Sequence, residues 1–321
     1  MDKLLEVKNL NVSFMLGKDK VQILKDVSFD IGRNEVIAII GETGCGKSVT
    51  GSAVLHLLPE NALVEGTIKF DGEDITYMDE NKFRNLRGKH IAAVAQSPST
   101  SLDPLMKVGN QVSECITDKK YKKGEFKYEL KRSIIELFSK LKLPRKDEIY
   151  NEYPCELSGG MCQRVLIAMG LVTKPRLLIV DEPTKAIDWV LRKDVVELFR
   201  MVKQERRCAM MFITHDIAAA KNIADKIAVM YCGQIVEFGK TEEILTNPKH
   251  PYTKGLINSM PAKGFCLMEG YMPSFLELPS GCRFEPRCSD KIPCCSLVEP
   301  INLNEAGNMV KCHRYIKTKS R

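Results

Sequence analysis

Four short apolar runs stand out along the chain. They are Val36 to Ile40, His90 to Ala95, Leu177 to Val180 and Met210 to Thr214. Unbroken runs of this length suit strands buried on both faces, as in a parallel sheet. Residues 1–85 read as β-rich. Residues 86–157 carry longer amphipathic stretches, and Glu129 to Leu141 places Leu130, Ile134, Leu137 and Phe138 on one side of a helix. Residues 158–245 return to alternating strands and helices. Lys226 to Glu237 reads as a hairpin turning at Cys232-Gly233. After residue 246 proline, glycine and cysteine rise, and the long helical patterns stop.

Each apolar run ends in a residue that can handle a nucleoside triphosphate. The first enters Gly41-Glu42-Thr43-Gly44-Cys45-Gly46-Lys47-Ser48-Val49. This fits the phosphate-loop pattern Gly-x4-Gly-Lys-Ser/Thr, whose glycines let backbone N–H groups turn inward around anionic oxygens. A helix starting near Lys47 adds its positive end. Lys47 would reach the β- and γ-phosphates, and Ser48 would hold Mg²⁺. The second run enters Gln96, the third Asp181-Glu182 and the fourth His215. An acid at a strand end can simply cap the next helix, and a histidine there can be structural. In a sheet with a phosphate loop, ligands bind beyond the carboxyl ends of the strands. Asp181 then reads as a Mg²⁺ holder and Glu182 as the group that polarises the attacking water.

Leu157-Ser158-Gly159-Gly160-Met161-Cys162-Gln163-Arg164 lies between Gln96 and Asp181. It resembles the signature sequence of the ATP-binding-cassette ATPases, and the resemblance covers nearly the whole chain. It implies an α/β fold: a RecA-like P-loop core, an antiparallel β subdomain and an inserted helical subdomain. By its match Gln96 is the Q-loop residue and a Mg²⁺ contact, Asp188 the D-loop aspartate and His215 the switch histidine. Phe14 falls where the family stacks an aromatic on adenine, although it could equally be a core residue. Physically, Ser158 suits an N-cap, and Gly159 and Gly160 expose N–H groups at a helix start running to about Val172. That is a second anion site without a lysine. It makes sense if two chains face head to tail, each signature closing on the γ-phosphate held by its partner.

Composition narrows the setting. The chain has 321 residues, 44% of them hydrophobic and 28% charged, as expected of a soluble protein with more than one domain. No apolar run approaches the roughly 20 residues needed to cross a bilayer. Met1-Asp2-Lys3 leads directly into a strand pattern, so no secretory signal is expected. The net charge of +7 has a lysine-rich centre at Lys119, Lys120, Lys122, Lys123, Lys127, Lys131 and Arg132. Asp118, Glu125 and Glu129 are interspersed there, which reads as a solvated helical face. No aromatic-interleaved platform for single strands is present, and no nucleic-acid partner is expected.

The tail resembles one branch of the family. His250-Pro251-Tyr252-Thr253-Lys254-Gly255-Leu256 and Gly281-Cys282-Arg283-Phe284-Glu285-Pro286-Arg287-Cys288 are similar to stretches of oligopeptide and dipeptide importer ATPases. Leu102-Asp103-Pro104 and Met161 fit that branch too. Lys185-Ala186-Ile187-Asp188-Trp189 departs from its usual sequence, and nickel, metal-chelate and opine importers share the branch. The expected division is a cassette over 1–245, with the helical subdomain at 86–157, and a Cys-rich extension over 246–321. Five of the twelve cysteines fall between Cys282 and Cys312. Reduced thiols clustered this way suggest metal. Cys282, Cys288, Cys295 and Cys312 would supply four thiolates, with Cys294 an alternative to Cys295 and His313 able to make a mixed zinc site. The resemblance implies a [4Fe-4S] cluster, with Zn²⁺ as the alternative. A tail poor in periodic apolar residues is expected to need such a staple, far from Lys47 and Glu182.

The expected function is an ATP-hydrolysing subunit of a membrane importer, with ATP and Mg²⁺ as cofactors. It would sit on the cytoplasmic face of the cell membrane with a second ATPase subunit, identical or not. Two transmembrane permeases and, indirectly, an extracytoplasmic binding protein complete the set of partners. A non-transport cassette ATPase is the first competitor, but such proteins carry two cassettes or long coiled coils. A metal-sensing module built on the tail is the second.

Overall fold

The computed structural model describes residues 2–116, 125–184, 189–206, 208–261, 264, 268–305 and 307–316. Lys119, Lys120, Lys122, Lys123 and the D-loop aspartate Asp188 lie outside them. The chain divides into two compact units, Met1–Tyr77 with Phe212–Arg321, and Met78–Met211.

The first unit begins with two long strands, β1 (Lys3–Leu16) and β2 (Asp19–Gly32), which form an antiparallel hairpin turning at Gly17. Opposed pairs such as Val7 with Phe29 and Val12 with Leu24 are buried. Next come β3 (Val36–Ile40), α1 (Lys47–Val54), β4 (Ala62–Phe70) and β5 (Glu73–Asp74). β4 pairs with the other side of β1, giving an antiparallel sheet in the order β2-β1-β4-β5. This is the β-rich amino-terminal layer that the alternation predicts. β3 belongs elsewhere, and all five of its residues are buried.

The second unit holds α2 (Glu80–Leu86), β6 (Ile91–Val94), α3 (Pro98–Ser101), α4 (Val108–Glu114), α5 (Glu125–Lys140), α6 (Lys146–Ile149), α7 (Gly159–Leu171), β7 (Leu177–Asp181) and α8 (Trp189–Arg206). β8 (Ala209–Thr214) then carries the chain back to the first unit. The amphipathic reading of α5 holds: Leu130, Ile134, Leu137 and Phe138 are all buried. Arg164 ties the end of this helix to α7, its Nη1 donating to the carbonyls of Leu141 at 2.8 Å and Lys142 at 3.1 Å. β6 and β7 pair in parallel, Val94 beside Val180. α7 lies close over β6 at Gly170, where a Cβ would come 2.9 Å from Val94.

The chain re-enters the first unit with α9 (Ile217–Ile223), β9 (Lys226–Tyr231), β10 (Gln234–Lys240), α10 (Thr241–Thr246) and α11 (Pro251–Asn258), and ends with β11 (Leu303–Glu305) and β12 (Asn308–Val310). β9 runs parallel to β3, Ile40 beside Val229, and antiparallel to β10. The hairpin turns where expected, with positive φ at Cys232 and Gly233. The tail differs from the sequence expectation. It is tied into the sheet of the cassette, for β12 pairs with β10 and continues that sheet, and β11 pairs with β12. Tyr252 and Phe284 are buried in one cluster with Ile40, Val229 and Tyr231, and Ile257 is buried too. Large apolar residues too scattered to show a period still fill a core.

Candidate functional site

The phosphate loop starts where β3 ends. Gly41 leaves no room for a side chain, since a Cβ would lie 2.2 Å from the Met230 carbonyl oxygen of neighbouring β9. Gly44 and Gly46 have positive φ, of 84° and 108°. This turns successive N–H groups toward one side, a concavity suited to anions. Gly46 caps α1, so the helix's positive end opens onto the same side. Lys47 is buried, and its Nζ donates to the carbonyls of Gly41 and Glu42, both at 2.9 Å. Thr43, Gly44 and Ser48 are exposed and Val49 is half-buried. Cys45 is buried, and burial pushes its thiol up to about 11. This thiol is therefore a protonated core group, while the Cys45 backbone carbonyl accepts from Gly233 N–H at 2.8 Å.

Two elements of the carboxy-terminal region hold this loop. Tyr252 lies on α11, fully buried, and its hydroxyl accepts the Glu42 N–H at 3.0 Å. Burial raises the hydroxyl's pKa, so it stays protonated. Arg287 Nη1 lies 3.0 Å from both carboxylate oxygens of Glu42. The helix that carries Tyr252 is capped by His250, whose Nδ1 accepts the Tyr252 N–H at 3.0 Å. His250 is buried, and burial pushes its imidazole down to about 3. Its own backbone N–H donates to buried Glu237 at 2.9 Å. The tail stretch around His250 thus supplies a neutral cap that aims a tyrosine at the loop. Sequence reasoning missed Tyr252 and Arg287 as site residues. They lie 210 and 245 positions from Glu42, and no local pattern links them.

In the same unit, His215 is exposed just beyond β8, and Asp216 caps α9 by accepting the Ala219 N–H at 3.0 Å. Phe14 is half-buried on β1, opposite Val21 and Ala62.

The second unit brings Gln96, Asp181 and Glu182 to one edge. β6 and β7 are in parallel register up to Val94 and Val180; Asp181 and Glu182 come next after Val180, and Gln96 lies two residues beyond Val94. Glu182 is buried and has φ of +46°. A left-handed conformation at a residue other than glycine costs about 1–3 kcal/mol, so the surrounding structure holds Glu182 in place. Ser158 caps α7 as expected, its Oγ accepting the Met161 N–H at 3.3 Å. Ser158 and Gly159 are exposed, and the space around Gly159 is open. The start of this helix is therefore accessible to an anion.

Cys282, Cys288, Cys295 and Cys312 gather near one another, and Cys282 N–H donates to the Cys295 carbonyl at 2.8 Å. Cys295 is buried and Cys294 only half-buried. His313 Nε2 is engaged with the Val298 carbonyl at 2.8 Å. Among the described residues, however, no group of three or more His, Cys, Asp or Glu side chains stands in an arrangement that could hold a metal ion. Burial raises the Cys282, Cys288 and Cys312 thiols, Cys282 to about 11. Cys282 and Cys288 pack against the Tyr231–Tyr252–Phe284 cluster as small apolar groups. The expected iron–sulfur or zinc centre is not supported by this arrangement.

Comparison with known proteins gives a consistent set of likenesses. The sequence profile of the ABC transporter family matches residues 24–185. That of the oligopeptide/dipeptide transporter C-terminal region matches residues 236–295. The oligopeptide transport ATP-binding protein AppD of Bacillus subtilis is 36% identical, over 98% of this chain and 98% of its own. Its counterpart OppD of Escherichia coli is 36% identical, over 98% and 94%. Among solved structures, a dimeric ATP-binding cassette in a post-hydrolysis state with ADP and phosphate superposes with a TM-score of 0.65. It is 25% identical and covers 74% of this chain and 98% of its own.

Proposed function

The chain belongs to the ATP-binding-cassette transporter family, and we propose that it is the ATP-hydrolysing subunit of an importer of oligopeptides or dipeptides. The observation that carries this reading is the joining in one chain of a cassette and a peptide-importer C-terminal region, at 24–185 and 236–295. The importers of nickel, metal chelates or opines, weighed from the sequence, are less well supported, because AppD and OppD are named for oligopeptides.

In this reading the Gly41–Ser48 loop binds the phosphates of ATP. Its inward N–H groups and the end of α1 meet the anionic oxygens, and Lys47 moves from its own loop's carbonyls to the β- and γ-phosphates. Ser48, Gln96 and Asp181 are the residues that would hold Mg²⁺, which neutralises charge developing on the phosphates. Glu182 polarises the attacking water, and its fixed backbone aims the carboxylate. His215 contacts the γ-phosphate, and Phe14 stacks on adenine. Ser158, Gly159 and Gly160 close on the γ-phosphate of a second ATPase subunit, with Asp188 at the same junction. ATP binding then draws two subunits together, and hydrolysis releases them. Permeases in the membrane receive that motion through the segment Gln96 to Pro104, with the extracytoplasmic binding protein delivering cargo on the far side. A place on the cytoplasmic face fits the absence, among the described residues, of any helix long and apolar enough to cross a membrane.

The test is Glu182→Gln. Nucleotide binding is expected to persist, because Lys47 and Ser48 remain, while phosphate release falls by about 10²–10⁴-fold through loss of the general base. Near-normal turnover would remove Glu182 from this role.

A further inference from the structure

Glu42 places a carboxylate in the second position of the phosphate loop. An acid there opposes the anion that the loop is shaped to receive. Arg287 answers it from the carboxy-terminal region, and the two sites are built together. The Arg287 side chain is 6% exposed and that of Glu42 30%, so their attraction is only partly screened. Arg287 Nη1 lies 3.0 Å from both carboxylate oxygens. Its Nε donates to the Glu269 carbonyl at 3.1 Å. Its guanidinium lies over the ring of Tyr231 at 5.8 Å. The group is thus fixed by a carbonyl and an aromatic face as well as by its ion partner. The backbone of the same loop residue is held by Tyr252. Further along the loop, the Met272 methyl lies 3.7 Å from where a Cβ on Gly44 would stand.

We propose that Arg287 is a positioning residue for ATP: it cancels the charge of Glu42 and, with Tyr252, fixes the phosphate loop, so that the carboxy-terminal region sets the nucleotide affinity of its own cassette. Arg287 acts through Glu42 and does not itself touch the phosphates. The tail, 245 positions away along the chain, is thereby part of the ATP site. The inference rests on the reading of Gly41–Ser48 as that site.

The experiment measures KM and kcat for MgATP hydrolysis, and equilibrium MgATP binding, with the full chain. Arg287→Met is expected to raise KM about tenfold, within the usual range for energetic coupling between two sites, with kcat within about twofold. Arg287→Lys keeps the charge but not the fork of donors, and is expected to raise KM by only about threefold. The double variant Glu42→Gln/Arg287→Met removes both charges, and is expected to bring KM back toward the wild-type value. A tail that merely needed Arg287 to fold would not be rescued by a change at Glu42. An unchanged KM in Arg287→Met, or a double variant as impaired as the single one, overturns the proposal. If Arg287→Met does not fold, Arg287→Lys decides: a raised KM supports the proposal and a wild-type KM overturns it. A wild-type chain that binds no MgATP overturns the functional reading and this inference with it. Normal wild-type binding with an unaffected variant overturns this inference alone.

Discussion

Tyr252→Phe isolates one atom of the link between tail and phosphate loop. The ring is fully buried, with its centroid 4.6 Å from that of Tyr231 and 5.5 Å from that of Phe284. Phenylalanine keeps those contacts, so the hydrophobic contribution is nearly unchanged. What disappears is the acceptor for the Glu42 N–H at 3.0 Å. Leaving a buried donor without a partner costs about 1–3 kcal/mol. The Glu42 side chain is partly exposed, so water can reach part of the gap and the low end applies. A cost of about 1 kcal/mol corresponds to roughly fivefold in an equilibrium constant. KM for ATP is therefore expected to rise by about fivefold with kcat nearly unchanged. The urea midpoint should fall by an amount worth about 1 kcal/mol. Tyr252→Ala adds the loss of the ring, about 3–5 kcal/mol by analogy with other large aromatic truncations. Steady-state kinetics and urea unfolding of the three proteins make the comparison. If Tyr252→Phe matches the wild type in KM while Tyr252→Ala does not, the ring alone matters and the hydrogen bond to the loop has no functional weight.

Ser158→Arg fills the open space at the start of α7, and is expected to lower turnover of the assembled complex by about 10²-fold or more while the isolated chain binds nucleotide normally. Nucleotide titration beside a turnover assay checks this, and equal loss of binding in the isolated chain would show that the signature serves its own phosphate loop. His250 gives a pH dependence. Its folded pKa, near 3 through burial, lies below the unfolded value near 6.5, so its contribution is intact above 6.5 and is lost as pH falls toward 3. By pH 5.5 the loss is on the order of 1 kcal/mol, offset in part by Glu237, whose pKa burial raises and which takes up a proton in the folded state as pH falls. Urea unfolding at pH values of about 7 and 5.5 should show this for the wild type and much less for His250→Asn, which keeps a capping oxygen; equal losses would exclude His250 as the source.

How much was legible depended on how far apart the interacting residues lie in the chain. The phosphate loop, the signature cap at Ser158 and the hairpin at Cys232-Gly233 could be read because each is a local solution. A glycine, a cap or a lysine at fixed spacing meets a backbone demand within a few residues. Buried strands such as β3 and the helical face of α5 declared themselves by period. The tail was less legible for the same reason. Its cysteines formed its most visible pattern, and that pattern suggested a metal. The residues that anchor it, Tyr252, Phe284 and Arg287, follow no period, because their partners are Tyr231 and Glu42 on other strands and loops.

Residue types and spacings suited to ATP, and the order of elements that presents them, are written locally in the chain. What surrounds that chemistry is not. Packing placed Glu182 in a left-handed turn, buried the Cys45 thiol and set an arginine and a tyrosine from the tail against the loop. Local spacing encodes what a backbone segment must do. Burial and long-range contact arise only when strands such as β3 and β9 come side by side, and these fix how strongly each group is charged, held or exposed.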